Sequence, residues 1–137
     1  MPDRTTTVAD LREAMRRFVA ERDWEQFHSP KNLAMGLSVE AAELMEHFLW
    51  VDNEASRRLA GEPGRLAEVA DEMADVACYL LALSNTLGLD LSDAVSRKLA
   101  KNAAKYPAER VRGRYELDDS DPAPGTPGAG TGAQEKS

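Results

Sequence analysis

Apolar side chains recur every three or four positions along most of the chain, which is the spacing of amphipathic α-helices. The first such segment follows Thr7, and Asp10 three residues later completes a capping-box pattern. Ser29 followed by Pro30 predicts the start of a second helix that continues to about Trp50. No segment alternates between apolar and polar residues for long enough to indicate a β-strand.

The second half of the chain repeats this helical pattern. Between the second and third helices, Asn, Gly and Pro residues predict a loop with one short helix near residues 54–59. A third helix is predicted from about Leu66 to Leu87, with Gly88 as its C-terminal glycine. A fourth helix continues to Pro107. The pattern predicts an all-α protein with a four-helix core.

The pattern stops near residue 117. In residues 118–137, Pro and Gly supply seven of the twenty residues, and no bulky apolar side chain is present. Such a segment buries too little surface to offset the entropy of ordering, so we expect a disordered C-terminal tail. The sequence therefore predicts a folded domain at residues 1–117 and a tail at residues 118–137.

The net charge and the cysteine content restrict which classes of function the protein can have. The 137 residues hold 17 Lys and Arg against 24 Asp and Glu, a net charge of −7. No basic cluster is present to bind nucleic acid polymers or a membrane surface. Cys78 is the single cysteine, and the N-terminal residues lack the apolar core of a secretory signal, so we expect a cytoplasmic protein.

Carboxylates lie on the edges of two apolar helix faces. Glu40 and Glu43 border the apolar stripe of the second helix, and Glu72 and Asp75 border that of the third. If the stripes pack together, the four acids converge, and an all-oxygen cluster suits a hard cation such as Mg²⁺, with Mn²⁺ as a substitute. The alternative is a hydrated edge whose acidic side chains pack by their stems alone. Helical geometry leaves both interpretations open.

Several runs of residues resemble a known enzyme family, and they span about residues 8–107. They are Arg22–His28, Asn32-Leu33, Glu40–Trp50, Glu72–Leu80, Lys98–Asn102 and Lys105–Pro107. On these runs the chain resembles the MazG-like all-α nucleoside triphosphate pyrophosphohydrolases, most closely the dCTP pyrophosphatase type. The resemblance implies hydrolysis between the α and β phosphates, yielding a monophosphate and pyrophosphate. It also implies a homotetramer built from dimers.

The resemblance assigns roles to individual residues. It implies that four acids are Mg²⁺ ligands: Glu40, Glu43, Glu72 and Asp75. Glu43 is our first candidate for the catalytic base, followed by Glu40. The resemblance implies a base pocket formed by Trp24, His28, Trp50 and Tyr79. Triphosphate contacts are implied for three residues that share one helix face: Lys98, Asn102 and Lys105. The alternatives are a core or subunit interface for the two tryptophans and a solvated face for the two lysines.

Two positions depart from the family pattern. Val39 stands where the broader MazG pattern has a further Glu, which favours the dCTP pyrophosphatase type. Met15 stands where the resemblance leads us to expect a histidine in the base pocket of the animal enzymes. The predicted substrate is therefore dCTP or a modified or non-canonical deoxynucleoside triphosphate.

Two other functions are compared with this one. A di-iron protein needs two Glu-x-x-His pairs, and only Glu25 with His28 has that spacing, so the sequence does not favour a di-iron site. The alternative is a non-catalytic helical module that binds a nucleotide or metal. The four acids are retained together with Lys98 and Asn102, which favours catalysis.

Overall fold

A computed structural model describes residues 1–114, so the predicted boundary after residue 117 and the predicted tail lie outside the described residues. The described part contains six α-helices: α1 Val8–Ala20, α2 Pro30–Glu46, α3 Asn53–Arg58, α4 Pro63–Thr86, α5 Leu91–Lys105 and α6 Ala108–Val111. Two short 3-10 turns occur at Glu25–Phe27 and Leu59–Gly61. No strand occurs within residues 1–114, and the predicted all-α class is confirmed.

The predicted helix ends carry the expected caps. The Thr7 hydroxyl accepts from the Asp10 backbone N–H at 3.1 Å, and the Asp10 carboxylate accepts from the Thr7 N–H at 2.8 Å. Ser29 caps α2, with Pro30 in its first turn. After α4, Gly88 has a φ of +63°, a conformation that glycine adopts without strain. These local signals position the three long helices that build the site.

Two helix boundaries differ from the prediction. α2 ends at Glu46, and the chain continues to Trp50 as a tighter turn in which the Phe48 N–H donates to the carbonyl three residues earlier at 2.9 Å. α4 begins at Pro63, three residues before the predicted Leu66. Proline suits this position because the first turn of a helix leaves its N–H groups without intrahelical partners.

The described residues divide into two units. The first, Met1–Ala94, contains α1 to α4, and α4 packs against both α2 and α1. α4 therefore buries side chains on two faces, and Leu81 and Ala82 are among them. The second unit begins at Val95 and contains most of α5 together with α6.

A reciprocal hydrogen-bond pair joins α1 to α4. The Arg12 Nε–H donates to the Asn85 Oδ1, and the Asn85 amide donates to the Arg12 carbonyl, each at 2.9 Å. Both side chains are partly buried, so water cannot easily replace either hydrogen bond. This pair fixes α1 against the C-terminal half of α4.

Many apolar side chains stay exposed on the single chain. Apolar residues seven positions apart, three in α4 and one at its C-cap, form an exposed line that we call the α4 apolar row: Leu66, Met73, Leu80 and Leu87. On α2 and in the turn after it, five apolar side chains are more than half exposed: Met35, Val39, Met45, Leu49 and Trp50. Among the described helices, none combines the length and apolar character needed to cross a membrane.

Candidate active site

Three carboxylates from two packed helices form an acidic cluster. Glu40 and Glu43 lie three residues apart on α2, and Glu72 faces them from α4. One carboxylate oxygen from each residue lies within 4.8 Å of the other two. Residues three apart share one face of a helix, so the packing of α2 on α4 brings all three together.

The chemistry of this cluster fits a hard divalent cation. The Glu72 Oε2 is buried and has no hydrogen-bond partner among the described residues. A buried carboxylate oxygen without a partner is costly, and a cation would satisfy it. All the clustered donors are carboxylate oxygens, which suit Mg²⁺ or Ca²⁺ better than softer metals.

The surroundings of Glu40 raise the pKa of its carboxyl group. Burial is the largest cause that raises the pKa of Glu40, and the negative charges of Glu43, Asp75 and Glu72 raise it further. Asp75 is not within the 4.8 Å group, but its charge acts on Glu40. The structure thus brings together three of the four predicted metal ligands and places the fourth within electrostatic reach.

The raised pKa of Glu40 predicts a pH-dependent stability. Above the ordinary value of 4.5, the folded protein holds a proton that the unfolded chain releases, so the free energy of unfolding falls as pH rises towards the folded-state pKa. In EDTA, Glu40→Gln should therefore unfold at a higher temperature than wild type at about pH 7, with the difference vanishing at about pH 4. Thermal unfolding followed by circular dichroism checks this, and equal midpoints at about pH 7 would contradict it.

An open cleft of about 350 Å³ lies beside the acidic cluster, and we call it the aromatic cleft. Its apolar wall consists of Met15, Phe18, Trp24, Leu33, Tyr79 and Ala82. Its polar wall consists of His28, Glu40, Asp75 and Cys78. Glu40 belongs to both the cleft and the acidic cluster, so a molecule in the cleft lies next to the carboxylates. The volume falls in the range of about 300–1,000 Å³ that is typical of small-molecule sites.

Arg22 supports the aromatic wall of the cleft. The Phe18 and Trp24 rings meet edge to face, with centroids 5.9 Å apart. The Arg22 guanidinium lies 3.7 Å from the Phe18 ring centroid and donates to the Phe18 carbonyl at 2.9 Å. Asp23 has a φ of +53°, which turns the chain so that the Trp24 N–H reaches the Val19 carbonyl at 3.1 Å. Two aromatic faces are thus held at one side of the cleft.

Tyr79 reaches the cleft because it crosses α2 at a glycine. A Cβ atom at Gly36 would lie 2.7 Å from the Tyr79 Cζ and 2.8 Å from its Cδ1, closer than real Cβ atoms approach other atoms. The absence of a side chain at Gly36 therefore sets how near the tyrosine ring lies to α2. It also sets the ring's position in the cleft.

The acidic cluster also borders a second opening, of about 380 Å³. This opening is lined by Glu43, Glu46, His47 and Glu72. Glu46 lies one turn after Glu43 on α2 and adds negative charge without joining the cluster. Solvent therefore reaches the carboxylates from a side other than the aromatic cleft.

The predicted substrate-binding residues do not all lie in one place. Trp24, His28 and Tyr79 line the aromatic cleft, whereas the Trp50 side chain is 96% exposed and lines none of the described cavities. The predicted triphosphate contacts belong to the second unit, so their roles stay predictions: Lys98, Asn102 and Lys105. Within that unit Lys98 is exposed, Asn102 is partly exposed, and the Lys105 Nζ lies 5.0 Å from the Tyr106 ring centroid.

The sequence model of the MazG-like family matches residues 36–116, which is more than half of the chain. The chain belongs to the MazG-like family. Two similar proteins are both named dCTP pyrophosphatase 1. The one from Bos taurus is 40% identical over 107 residues, covering 78% of this chain and 63% of its own length. The one from Homo sapiens is 40% identical over 106 residues, covering 77% and 62% respectively.

A solved structure shares the fold of this MazG-like protein. A pyrophosphatase from Archaeoglobus fulgidus DSM 4304 is 36% identical and superposes with a TM-score of 0.67. The match covers 78% of this chain and 98% of that one. By contrast, the chain spans less than two thirds of the length of the two dCTP pyrophosphatases. The family predicted from the sequence motifs is confirmed.

Sequence reasoning missed several residues of the MazG-like cleft. No sequence signal assigned a site role to Phe18 or Ala82. Leu33 and Cys78 belonged to runs that resemble the family, but neither had a role of its own. The available signal was spacing: Phe18 follows Met15 by three positions, so both lie on the face of α1 that meets α4.

Proposed function

We propose that this MazG-like protein hydrolyses nucleoside triphosphates to the monophosphate and pyrophosphate. One observation carries the proposal: Glu40 belongs to both the acidic cluster and the aromatic cleft. A base stacked on aromatic side chains would therefore hold its phosphates near the carboxylates. The dCTP pyrophosphatases and the pyrophosphatase among the similar proteins support the same chemistry.

The proposed substrate is dCTP or a modified or non-canonical deoxynucleoside triphosphate. Trp24 and Tyr79 offer ring faces for stacking, and His28 adds a polar edge to the same cleft. Lys98 and Lys105 would contribute positive charge to the triphosphate, with Asn102 as a further hydrogen-bonding group. These roles rest on the family motifs.

The reaction is a displacement by water. Water attacks the α-phosphorus in line with the bond to the β-phosphate, that P–O bond breaks, and pyrophosphate leaves with the bridging oxygen. The proton of the attacking water passes to a carboxylate, for which Glu43 is our first candidate because it is exposed to solvent on α2. Glu40 is the second, because it faces the cleft.

The proposed cofactor is Mg²⁺, with Mn²⁺ as a substitute. Glu40, Glu43 and Glu72 would hold the ion, with Asp75 as the fourth ligand that the family pattern implies. When bound, Mg²⁺ supplies positive charge against the triphosphate and acidifies the attacking water. The partnerless oxygen of Glu72 supports this assignment.

We also propose a homotetramer built from dimers. The α4 apolar row is 39–58% exposed in the single chain, and a second copy would cover it. The 96% exposed Trp50 side chain favours the interface role that the sequence left open for it. Static light scattering tests the proposal, and a monomeric mass at micromolar concentration would contradict it. The lone Cys78 has no disulfide partner in the chain, in keeping with the proposed cytoplasmic location.

A substrate panel tests the activity. Purified protein with Mg²⁺ is incubated with canonical and modified triphosphates, and the mono- and diphosphates, pyrophosphate and phosphate are resolved chromatographically. We expect monophosphate and pyrophosphate in equal amounts, with no turnover in EDTA. Diphosphate and phosphate as products would mean attack at the γ-phosphorus and would contradict the proposal.

The same panel distinguishes the non-catalytic alternative. A binding module would show no product from any triphosphate, yet would still bind nucleotide or Mg²⁺ in calorimetry. That combination of results would replace the enzymatic proposal with the binding function.

A further inference from the structure

A second cavity of about 300 Å³ adjoins the aromatic cleft, and we call it the rear cavity. It shares three residues with the cleft: Met15, His28 and Ala82. These three side chains therefore form the partition between the two spaces. The other side of the rear cavity is lined by Arg16, Val19, Glu25, Asn85 and Thr86.

Most of the surface that lines the rear cavity is apolar, and the charged side chains at its wall are compensated. The Arg16 guanidinium forms two hydrogen bonds with Glu13, at 2.9 and 2.7 Å, and Glu25 contributes further negative charge beside it. Asn85 already exchanges two hydrogen bonds with Arg12. A phosphate would find no free cation among these lining residues. A short neutral group therefore fits the cavity better.

Met15 is the movable part of the partition. Ala82 is buried on α4 and has no side-chain torsion, and the His28 carbonyl lies within 3.5 Å of the Thr86 hydroxyl. Met15 is unbranched, half-buried and lines both spaces, so a change of rotamer would join the cavities without moving the backbone. The reciprocal pair between Arg12 and Asn85 keeps α1 in place during such a change.

We propose that the rear cavity is a subsite for a short neutral substituent on the base, and that Met15 determines whether such a base is accepted. This inference rests on the proposed function, because it places the base in the aromatic cleft. A substituent would pass from the cleft into the rear cavity across the residues that the two spaces share, Met15 among them.

The test compares substituted and unsubstituted bases. Values of kcat/KM are measured for dCTP, 5-hydroxymethyl-dCTP and N4-methyl-dCTP with wild type and Met15→Ala. We expect Met15→Ala to raise the ratio of kcat/KM for at least one substituted base to that for dCTP by about tenfold, the scale set by a small group in a pocket. Unchanged ratios for both substituted bases would overturn the inference.

Matched variants separate the subsite from general effects on α1. Leu11→Ala removes a similar apolar side chain one turn earlier on α1 without touching either cavity, so its ratios should equal those of wild type. Thr86→Leu fills the rear cavity from the far wall and should lower the ratios. Because Thr86 is exposed at the end of α4, this variant keeps the test valid even if Met15→Ala folds poorly.

A binding measurement keeps this inference distinct from the proposed activity. If wild type releases no pyrophosphate from any triphosphate, the proposed function fails, but dissociation constants for the same three nucleotides are still measurable by calorimetry. A Met15→Ala shift in their ratio would then support the subsite alone. The absence of any shift in both readouts would overturn the subsite.

Discussion

Glu72→Gln should lower turnover at least about 100-fold while leaving the protein folded. Removing a group that only orients a metal ligand typically costs about 10- to 100-fold, so removing a predicted ligand should cost no less. The thermal midpoint without metal should equal or exceed that of wild type, because the variant loses one of three like charges grouped within 4.8 Å. Initial rates with Mg²⁺ and thermal unfolding in EDTA measure both effects.

The matched control for this variant lies on the same helix. Asp71→Asn also removes one carboxylate charge from α4, but Asp71 is exposed and lies outside the acidic cluster. Its rate should match that of wild type. Added Mg²⁺ should raise the midpoint of wild type and Asp71→Asn but not of Glu72→Gln, because a ligand stabilises only the state that binds it. A near-wild-type rate in Glu72→Gln would refute the metal assignment.

Gly36→Ala should raise KM for the nucleotide at least about tenfold and destabilise the fold by about 1–3 kcal/mol, the usual cost of overpacking. The added Cβ would meet the Tyr79 ring at 2.7–2.8 Å, so the ring must leave its position in the aromatic cleft. The stacking surface for the base moves with it. Steady-state kinetics and urea unfolding measure the two consequences.

A control and a second-site variant isolate the clash with Tyr79. Gly64 also lies in a helix, but no atom is within 4 Å of where its Cβ would be, so Gly64→Ala should stabilise the protein by about 0.5–1 kcal/mol. In a Tyr79→Ala background, Gly36→Ala should lose its destabilising effect, giving a measurable coupling energy. If the two substitutions instead changed the free energy of unfolding additively, the Tyr79 ring would not be the group for which Gly36 leaves space.

Local sequence signals predicted the helices because their physical causes are local. The Thr7 and Asp10 capping box, the Ser29 cap and Gly88 each involve residues within a few positions of one another. The acidic cluster was also predictable, because i, i+3 spacing on two helices requires only that their apolar faces meet. Glu40, Glu43 and Glu72 do meet.

The aromatic cleft was only partly predictable, because it depends on how three helices pack. Periodicity gives each helix one buried stripe, but α4 packs against both α1 and α2 and buries Leu81 and Ala82 as well. Phe18 and Cys78 line the cleft only because α1 and α4 meet there. The exposure of Trp50 follows from the turn that ends α2, which helical periodicity did not predict.

Glu40 belongs to both the acidic cluster and the aromatic cleft, so the binding of a cation and the binding of a nucleotide affect each other. A cation at the acidic cluster would favour the ionised form of Glu40, and a nucleotide in the aromatic cleft would meet that same side chain. By linkage, whatever factor the cation contributes to nucleotide affinity, the nucleotide contributes to cation affinity. The affinity for each is therefore defined only at a stated concentration of the other, and Glu40→Gln should weaken this mutual dependence.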